Sequence, residues 1–169
     1  MVYIIMGVSG CGKTTVGKIL AKKLGVEFYD ADDFHPRNNI NKMKNFIPLE
    51  DEDRISWLSD IAGRIKQWNR EGDAVLACSA LKENYRQILS CDGKEEVVFI
   101  YLEGDENTII QRMEERKRHF FAPELLASQF DTLEEPLDAI KVRIDKIPDK
   151  VCGEIIDKLI INGLTRLKS

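Results

Sequence analysis

An α/β fold organised on a parallel sheet is the prediction for this sequence, and three observations carry it. Short apolar runs at 2–6, 26–29, 74–78, 97–102 and 139–144 alternate with longer stretches whose apolar residues recur at helical spacing. The run at 97–102 is apolar throughout, as expected of a strand covered on both faces. The first run stops abruptly at Gly7, and Gly7, Gly12, Lys13 and Thr14 then fall in the order G-x-x-x-x-G-K-T. Between a strand and a helix, that order is the P-loop pattern. The helix follows, with Val16, Ile19, Leu20 and Leu24 on one face.

The spacing has a chemical reason. A triphosphate is densely negative and must be wrapped by backbone N–H groups at close range, which side chains at the glycine positions would block. Gly7, Ser9, Gly10, Cys11, Gly12, Lys13, Thr14 and Thr15 are therefore the expected cradle for the phosphates of ATP. Lys13 is expected to reach the β- and γ-phosphates and the Thr14 hydroxyl to ligate Mg²⁺, while the helix N-terminus adds the positive end of its dipole.

The bulk properties narrow the partners. The chain has 169 residues, 43% hydrophobic and 32% charged, which suits one soluble domain over 1–169. Its 25 basic and 29 acidic side chains give a net charge of −4, with no general electrostatic footprint for nucleic acid or an anionic membrane. A small diffusible substrate is favoured. The run at 2–6 is far too short to span a bilayer and lacks a basic flank and cleavage site, so it reads as a strand rather than a signal. Four scattered cysteines and only two histidines make no zinc pattern, and the thiols are expected to be free in a reducing cytoplasm. Cys11 is the exception, because thiolate character rises near a helix N-terminus.

After the first helix, the strand at 26–29 runs into an acidic knot, Asp30, Asp32 and Asp33, followed by Phe34, His35 and Pro36. Ligands of open parallel sheets bind beyond the carboxyl ends of strands, so Asp30 and Asp32 are expected beside the phosphates, on a strand read as the neighbour of the first. Residues 38–48 are polar and read as a surface segment that meets substrate. A helix from 51 carries Ile55, Leu58, Ile61, Ile65 and Trp68 on its apolar face, Arg54 near its start, and Trp57 and Trp68 as packing residues. The strand at 74–78 ends in Cys78-Ser79-Ala80, where many P-loop ATPases carry a Walker-B aspartate. A short helix at 81–89 bears Lys82, Tyr85 and Arg86. A further helix at 106–115, with Ile109, Ile110 and Met113 inward, delivers a basic cluster of Arg112, Arg116, Lys117, Arg118 and His119, suited to phosphate oxygens. The proline-bounded stretch 120–136 reads as a helical flap, a lid over bound nucleotide. The last helix, 149–161, is apolar at Val151, Ile155, Ile156, Leu159 and Ile160.

With these stretches in view, the chain resembles the gluconate kinases. The resemblance rests on GVSGCGKTT at 7–15, DADDFHPRNNINKM at 30–43, PLEDEDRISWL at 48–58, CSALKENYR at 78–86, FIYLEGD at 99–105 and RHFFAPELLASQFDTLEEP at 118–136. It implies a P-loop NTPase fold with an adenylate-kinase-like core of five parallel strands flanked by helices, a substrate-binding segment at 33–56, a mobile lid at 116–134 and a cytoplasmic homodimer. It also implies phosphorylation of D-gluconate to 6-phosphogluconate, feeding the pentose phosphate or Entner-Doudoroff route. The chain departs from the family at Phe46, where glycine is usual, at Ser56, where proline is frequent, and at Arg143 in the Val-Arg-Ile-Asp of 142–145.

Roles follow from phosphoryl-transfer chemistry, in which the protein positions groups and stabilises charge. Lys13 holds the β- and γ-phosphates, Thr14 binds Mg²⁺, Asp30 orients a metal-bound water, and Asp32 accepts the acceptor hydroxyl's proton. Gluconate, a carboxylate bearing a row of hydroxyls, needs a cation and several donors, for which Arg54, Arg86, His35, Lys82 and His119 are the candidates. Arg116 and Lys117 are expected to swing in with the lid and Arg112 to stack on adenine. Two rivals stay open: another small-molecule kinase of the same fold, for shikimate or a nucleoside, and a P-loop switch ATPase with no phosphorylated metabolite.

Overall fold

The computed structural model describes residues 1–45, 47–115 and 123–165. Strand β1 (Val2–Met6) leads into helix α1 (Lys13–Leu24), then β2 (Glu27–Asp30) and a 3₁₀ turn over Ala31–Phe34. Helices α2 (Arg37–Lys44) and α3 (Asp51–Glu71) precede β3 (Ala74–Ala77), and α4 (Glu83–Leu89) precedes β4 (Val97–Glu103). Helices α5 (Glu106–Glu115) and α6 (Pro123–Thr132), strand β5 (Ile140–Arg143) and helix α7 (Pro148–Ile161) complete the chain. The five strands form one sheet in the order β2-β3-β1-β4-β5, parallel at every pairing.

Strand β1 is central, and its alternation assigns its residues to two cores. Tyr3 and Ile5 face a cluster with Val16 and Leu20 of α1, Ile109 of α5, Leu126 of α6 and Ile155 and Leu159 of α7. Val2, Ile4 and Met6 face the other side, against Trp57, Leu58, Ile61 and Ile65 of α3 and Leu89 of α4. Burial on both faces explains why β1 and β4 read as continuous apolar runs without alternation. No helix among the described residues is long and apolar enough to cross a membrane.

Three expectations are corrected by this architecture. The acidic knot does not end a neighbour of β1: β3 lies between, with Ala77 paired to Ile5 on one side and Asp30 on the other. The stretch 38–48 is not a plain surface segment, because α2 occupies 37–44 and turns Asn39 into the interior at 2% exposure. Its helical face is polar, so no apolar periodicity signalled it. Helix α4 begins at Glu83 rather than at 81, after a turn in which Ala80 adopts φ 45°. The apolar side of the flap has its partner in the body of the protein: Leu126 is fully buried in the α1–α7 core, with Phe130 and Leu133 packed beside it. Burying a leucine is worth about 1.5–3 kcal/mol, which holds α6 down on the body of the protein.

Candidate functional site: a phosphate cradle facing an acidic turn

Beyond Met6 the backbone takes positive φ at Gly7 (140°), Gly10 (80°) and Gly12 (102°), as the glycine pattern demands. A Cβ on Gly10 would stand 2.7 Å from Met113 Sδ, so α5 rests directly on the loop and leaves no room for a side chain there. Helix α1 starts at Lys13 with Gly12 as N-cap and no side chain capping it, which leaves its first N–H groups for a ligand. The Lys13 ammonium lies across the loop, donating to the Gly7 and Val8 carbonyls at 3.0 Å each. Where a Walker-B aspartate would stand, Ser79 instead lends its carbonyl to the Gly7 N–H at 3.3 Å.

The missing carboxylate comes from one strand further out. Thr14 Oγ1 donates to Asp30 Oδ2 at 2.9 Å, joining the loop to the end of β2. The other oxygen of Asp30 accepts the Asp32 N–H at 3.2 Å and so caps the 3₁₀ turn. Asp32 then projects into the cleft with its side chain 86% exposed. Its pKa is raised, by desolvation and then by the neighbouring Asp30, and the open position of the side chain lets solvent temper the first of these. Among the described residues no three His, Cys, Asp or Glu side chains converge to hold a metal, so Asp30, Asp32 and Asp33 are not a metal cage.

His35 sits beside Asp32 with its side chain 6% exposed and Nε2 3.9 Å from Asp32 Oδ1. Its ring stacks on Trp57 at 4.1 Å and 17°, and Trp57 is pinned by an Nε1–H bond of 3.0 Å to the Ala31 carbonyl. Burial, then the charge of Arg54, lowers the His35 pKa against the pull of Asp32. The Arg54 guanidinium makes no ion pair or hydrogen bond with any described residue. Lys82 is differently placed: its ammonium grips both Asp51 oxygens at 3.0 and 3.1 Å, and Tyr85 donates to the same carboxylate at 2.5 Å. Those bonds, Tyr85 first, hold the Asp51 carboxyl below its ordinary range, while burial and Asp51 push the Tyr85 hydroxyl up.

Two arginines bond within the chain, and for the first this corrects the expectation of a substrate contact. Arg86, 4% exposed, donates to the Ala80 and Leu81 carbonyls and to Glu83, so it braces the turn out of β3 and offers nothing to substrate. Arg112 donates from one guanidinium nitrogen to the carbonyls of Ile144 and Lys146, fastening α5 to the segment after β5. Cys11 also differs from expectation: it is fully buried, and desolvation raises its pKa despite the nearby Lys13. All four cysteines are free and buried, Cys78 with its thiol pushed up to about 12. Phe46, Arg116, Lys117, Arg118 and His119 lie outside the described residues.

Two site residues carried no assigned role in the sequence. Gln129 of α6 accepts the Ser9 N–H at 2.6 Å, so the flap helix touches the P-loop itself; the S-Q-F stretch was its only signal. Asn39, inside α2, bonds the His35 ring and the Asp53 carbonyl. A cavity of about 450 Å³ between α4 and residues 134–139 contains none of the loop or the acidic turn, and the chemistry does not reside there.

Comparison with known proteins agrees with this arrangement. A family model described as shikimate kinase matches residues 9–159. The thermoresistant gluconokinase of Escherichia coli is 40% identical, over 92% of this chain and 91% of that protein. A gluconokinase of Arabidopsis thaliana is 38% identical over 96% and 94%. Among solved structures, a gluconokinase from Sinorhizobium meliloti superposes with a TM-score of 0.85 and 35% identity, covering 95% of this chain and 91% of that one.

Proposed function

The chain belongs to the gluconokinase family, and from that premise we propose how it uses ATP to phosphorylate D-gluconate. The observation that carries the proposal is the bond between Thr14 and Asp30, which sets the acidic turn against the phosphate cradle although β3 separates the two strands. The loop amides and the Lys13 ammonium hold the β- and γ-phosphates and stabilise charge on the transferring oxygens. Thr14 and Asp30 are the oxygen pair that would hold Mg²⁺, an ion that binds through one or two protein oxygens and keeps several waters. When bound, it neutralises charge on the phosphates.

Asp32 takes the proton of the acceptor hydroxyl. Its raised pKa suits that task, because a general base works best when its pKa approaches the operating pH. Arg54 receives the gluconate carboxylate, since its guanidinium has no other described partner, and His35 donates to a substrate hydroxyl. Lys82 contributes at the margin, its ammonium being held by Asp51. From the family resemblance we assign Arg116 and Lys117 to the transferring phosphate and His119 to the sugar acid. Residues 33–56 are then the substrate segment and 116–134 the lid. A cytoplasmic homodimer is part of the same proposal, and sedimentation velocity tests the dimer.

One coupled assay tests the whole reading: ATP consumption with gluconate beside shikimate, glycerate, nucleosides and no acceptor. Gluconate is expected to dominate. Preference for shikimate would favour the activity named by the matching family model, and turnover without acceptor would indicate a switch ATPase.

A further inference from the structure

Asn39 is almost wholly buried, polar, and absent from the proposed chemistry, yet it sits between two groups that fix its orientation. Its amide lies 3.2 Å from the Asp53 carbonyl oxygen and 3.4 Å from His35 Nδ1. A carbonyl only accepts, so the atom facing Asp53 is the Nδ2 amine, and the reversed amide would set two oxygens against each other. The same Nδ2 faces His35, so His35 Nδ1 meets a donor and accepts from it. A neutral imidazole whose Nδ1 accepts carries its proton on Nε2. Nε2 is the atom directed at Asp32 Oδ1, and the Trp57 stack and the Trp57 bond to Ala31 hold the ring plane in that direction.

We propose that Asn39 is a positioning residue that holds His35 in its Nε2–H tautomer, so that a neutral donor faces Asp32 and the acceptor hydroxyl beside it. The part concerning the acceptor rests on the function proposed above; the tautomer does not. Burial and the charge of Arg54 both disfavour a second proton on the ring, and Asp32 opposes them. The device resembles the partners that orient metal-bound histidines, where loss of the outer group typically costs about 10- to 100-fold in activity.

The test is direct, because the chain contains only two histidines, His35 and His119. Two-bond proton–nitrogen correlation spectra of ¹⁵N-labelled protein at neutral pH report the tautomer of each ring, and a His119→Gln variant identifies the His35 signals. The expected wild-type pattern has the proton on Nε2. Asn39→Asp, which presents only acceptors to Nδ1, should move the proton to Nδ1 or doubly protonate the ring. Asn39→Leu, without donors, should leave a tautomer mixture. In both variants kcat with gluconate should fall about tenfold or more while ATP affinity stays within about twofold. A wild-type His35 protonated on Nδ1 overturns the proposal with no variant required, as does an unchanged Nε2–H signal and kcat in both variants. A protein showing the Nε2–H pattern but no gluconate turnover would remove the proposed function and leave the tautomer lock standing.

Discussion

The phosphate cradle at 7–15 and the acceptor cleft at 30–54 meet at one hydrogen bond, Thr14 to Asp30, yet they are made of different materials. The cradle is backbone: three glycines at positive φ, an uncapped helix start and one ammonium, all within a contiguous stretch. The cleft is a web of side chains that come together only once α2 and α3 pack. Asn39 bonds His35 and Asp53, Lys42 bonds Asp53 at 2.7 Å, and Trp57 reaches back to Ala31. Among the described residues a cradle of this kind has one charged group, the Lys13 ammonium, at the phosphates. A cleft of this kind shares its work, so its substitutions should divide between binding and turnover.

The sharpest contrast is expected at Lys13. Lys13→Met keeps the length of the side chain but removes the ammonium, and loss of one such stabilising group costs on the order of 10³-fold in turnover. Measured on folded protein, a fall of less than tenfold would put the cleft and the cradle on the same footing. Asp32→Asn comes next, with kcat lowered by about 10²-fold or more and ATP affinity nearly unchanged, because general-base assistance is the only thing removed. Loss of ATP binding in that variant would move Asp32 into the metal shell and blur the division between the two regions.

The same difference in material decides how much could be read in advance. The P-loop pattern needs its glycines and lysine in close order, so strand, loop and helix were legible from residues 1–24 alone. Helical spacing in α3 also gave its buried residues Leu58, Ile61, Ile65 and Trp68, whereas Ile55, read on the same face, is 40% exposed. The order of the strands was not legible: nothing in the run at 26–29 distinguishes an edge strand from a neighbour of β1. Arg86 looked like a substrate ligand because a guanidinium looks the same in sequence whether it meets a carboxylate of the substrate or a carbonyl of its own chain. Asn39 was hidden because α2 buries a polar residue, and hydrophobic patterning is blind to that. The partner that sets it, the Asp53 carbonyl, lies 14 positions away.

Smaller effects sharpen the comparison. Arg54→Leu removes one charge-assisted contact to the substrate carboxylate, worth about 1.5–3 kcal/mol, so the KM for gluconate should rise about 10- to 150-fold with a lesser change in kcat. A variant with normal KM would shift the carboxylate to Lys82. Gln129→Ala leaves the cradle's own residues intact but frees the Ser9 N–H from the flap helix. One neutral hydrogen bond contributes about 0.5–1.5 kcal/mol, so the apparent affinity for ATP should change by no more than about tenfold. Hydrogen exchange of 126–132 should quicken in the same variant, and unaltered exchange would mean that the apolar contacts of Leu126, Phe130 and Leu133 anchor α6 without the Gln129 bond.

The smallest expected effect concerns stability, and it separates two carboxylates of the same cleft by sign. Asp32 has a folded-state pKa above its unfolded value near 3.8, because desolvation and Asp30 disfavour its charge. The native protein therefore binds more protons than the unfolded chain between those two values, and stability falls as pH rises through that window. Asp51 is the reverse: Tyr85 and Lys82 depress its pKa, so its contribution is present above its unfolded value near 3.8 and is lost as pH falls through the lower folded value. Asp32→Asn should thus melt slightly higher than wild type at pH 7, with the advantage shrinking as pH falls and vanishing below about 3.8. Asp51→Asn should melt lower at pH 7, with its deficit closing at acid pH. Melting temperatures of the three proteins between pH 3 and 8 provide the measurement. A carboxylate whose charge the fold disfavours is the one available for proton transfer, whereas one whose charge the fold stabilises is serving the structure. If Asp32→Asn melts below wild type at neutral pH, the 86% exposed side chain is stabilised by Lys13 and His35 more than it is opposed by Asp30, and the case for Asp32 as the base loses its electrostatic support.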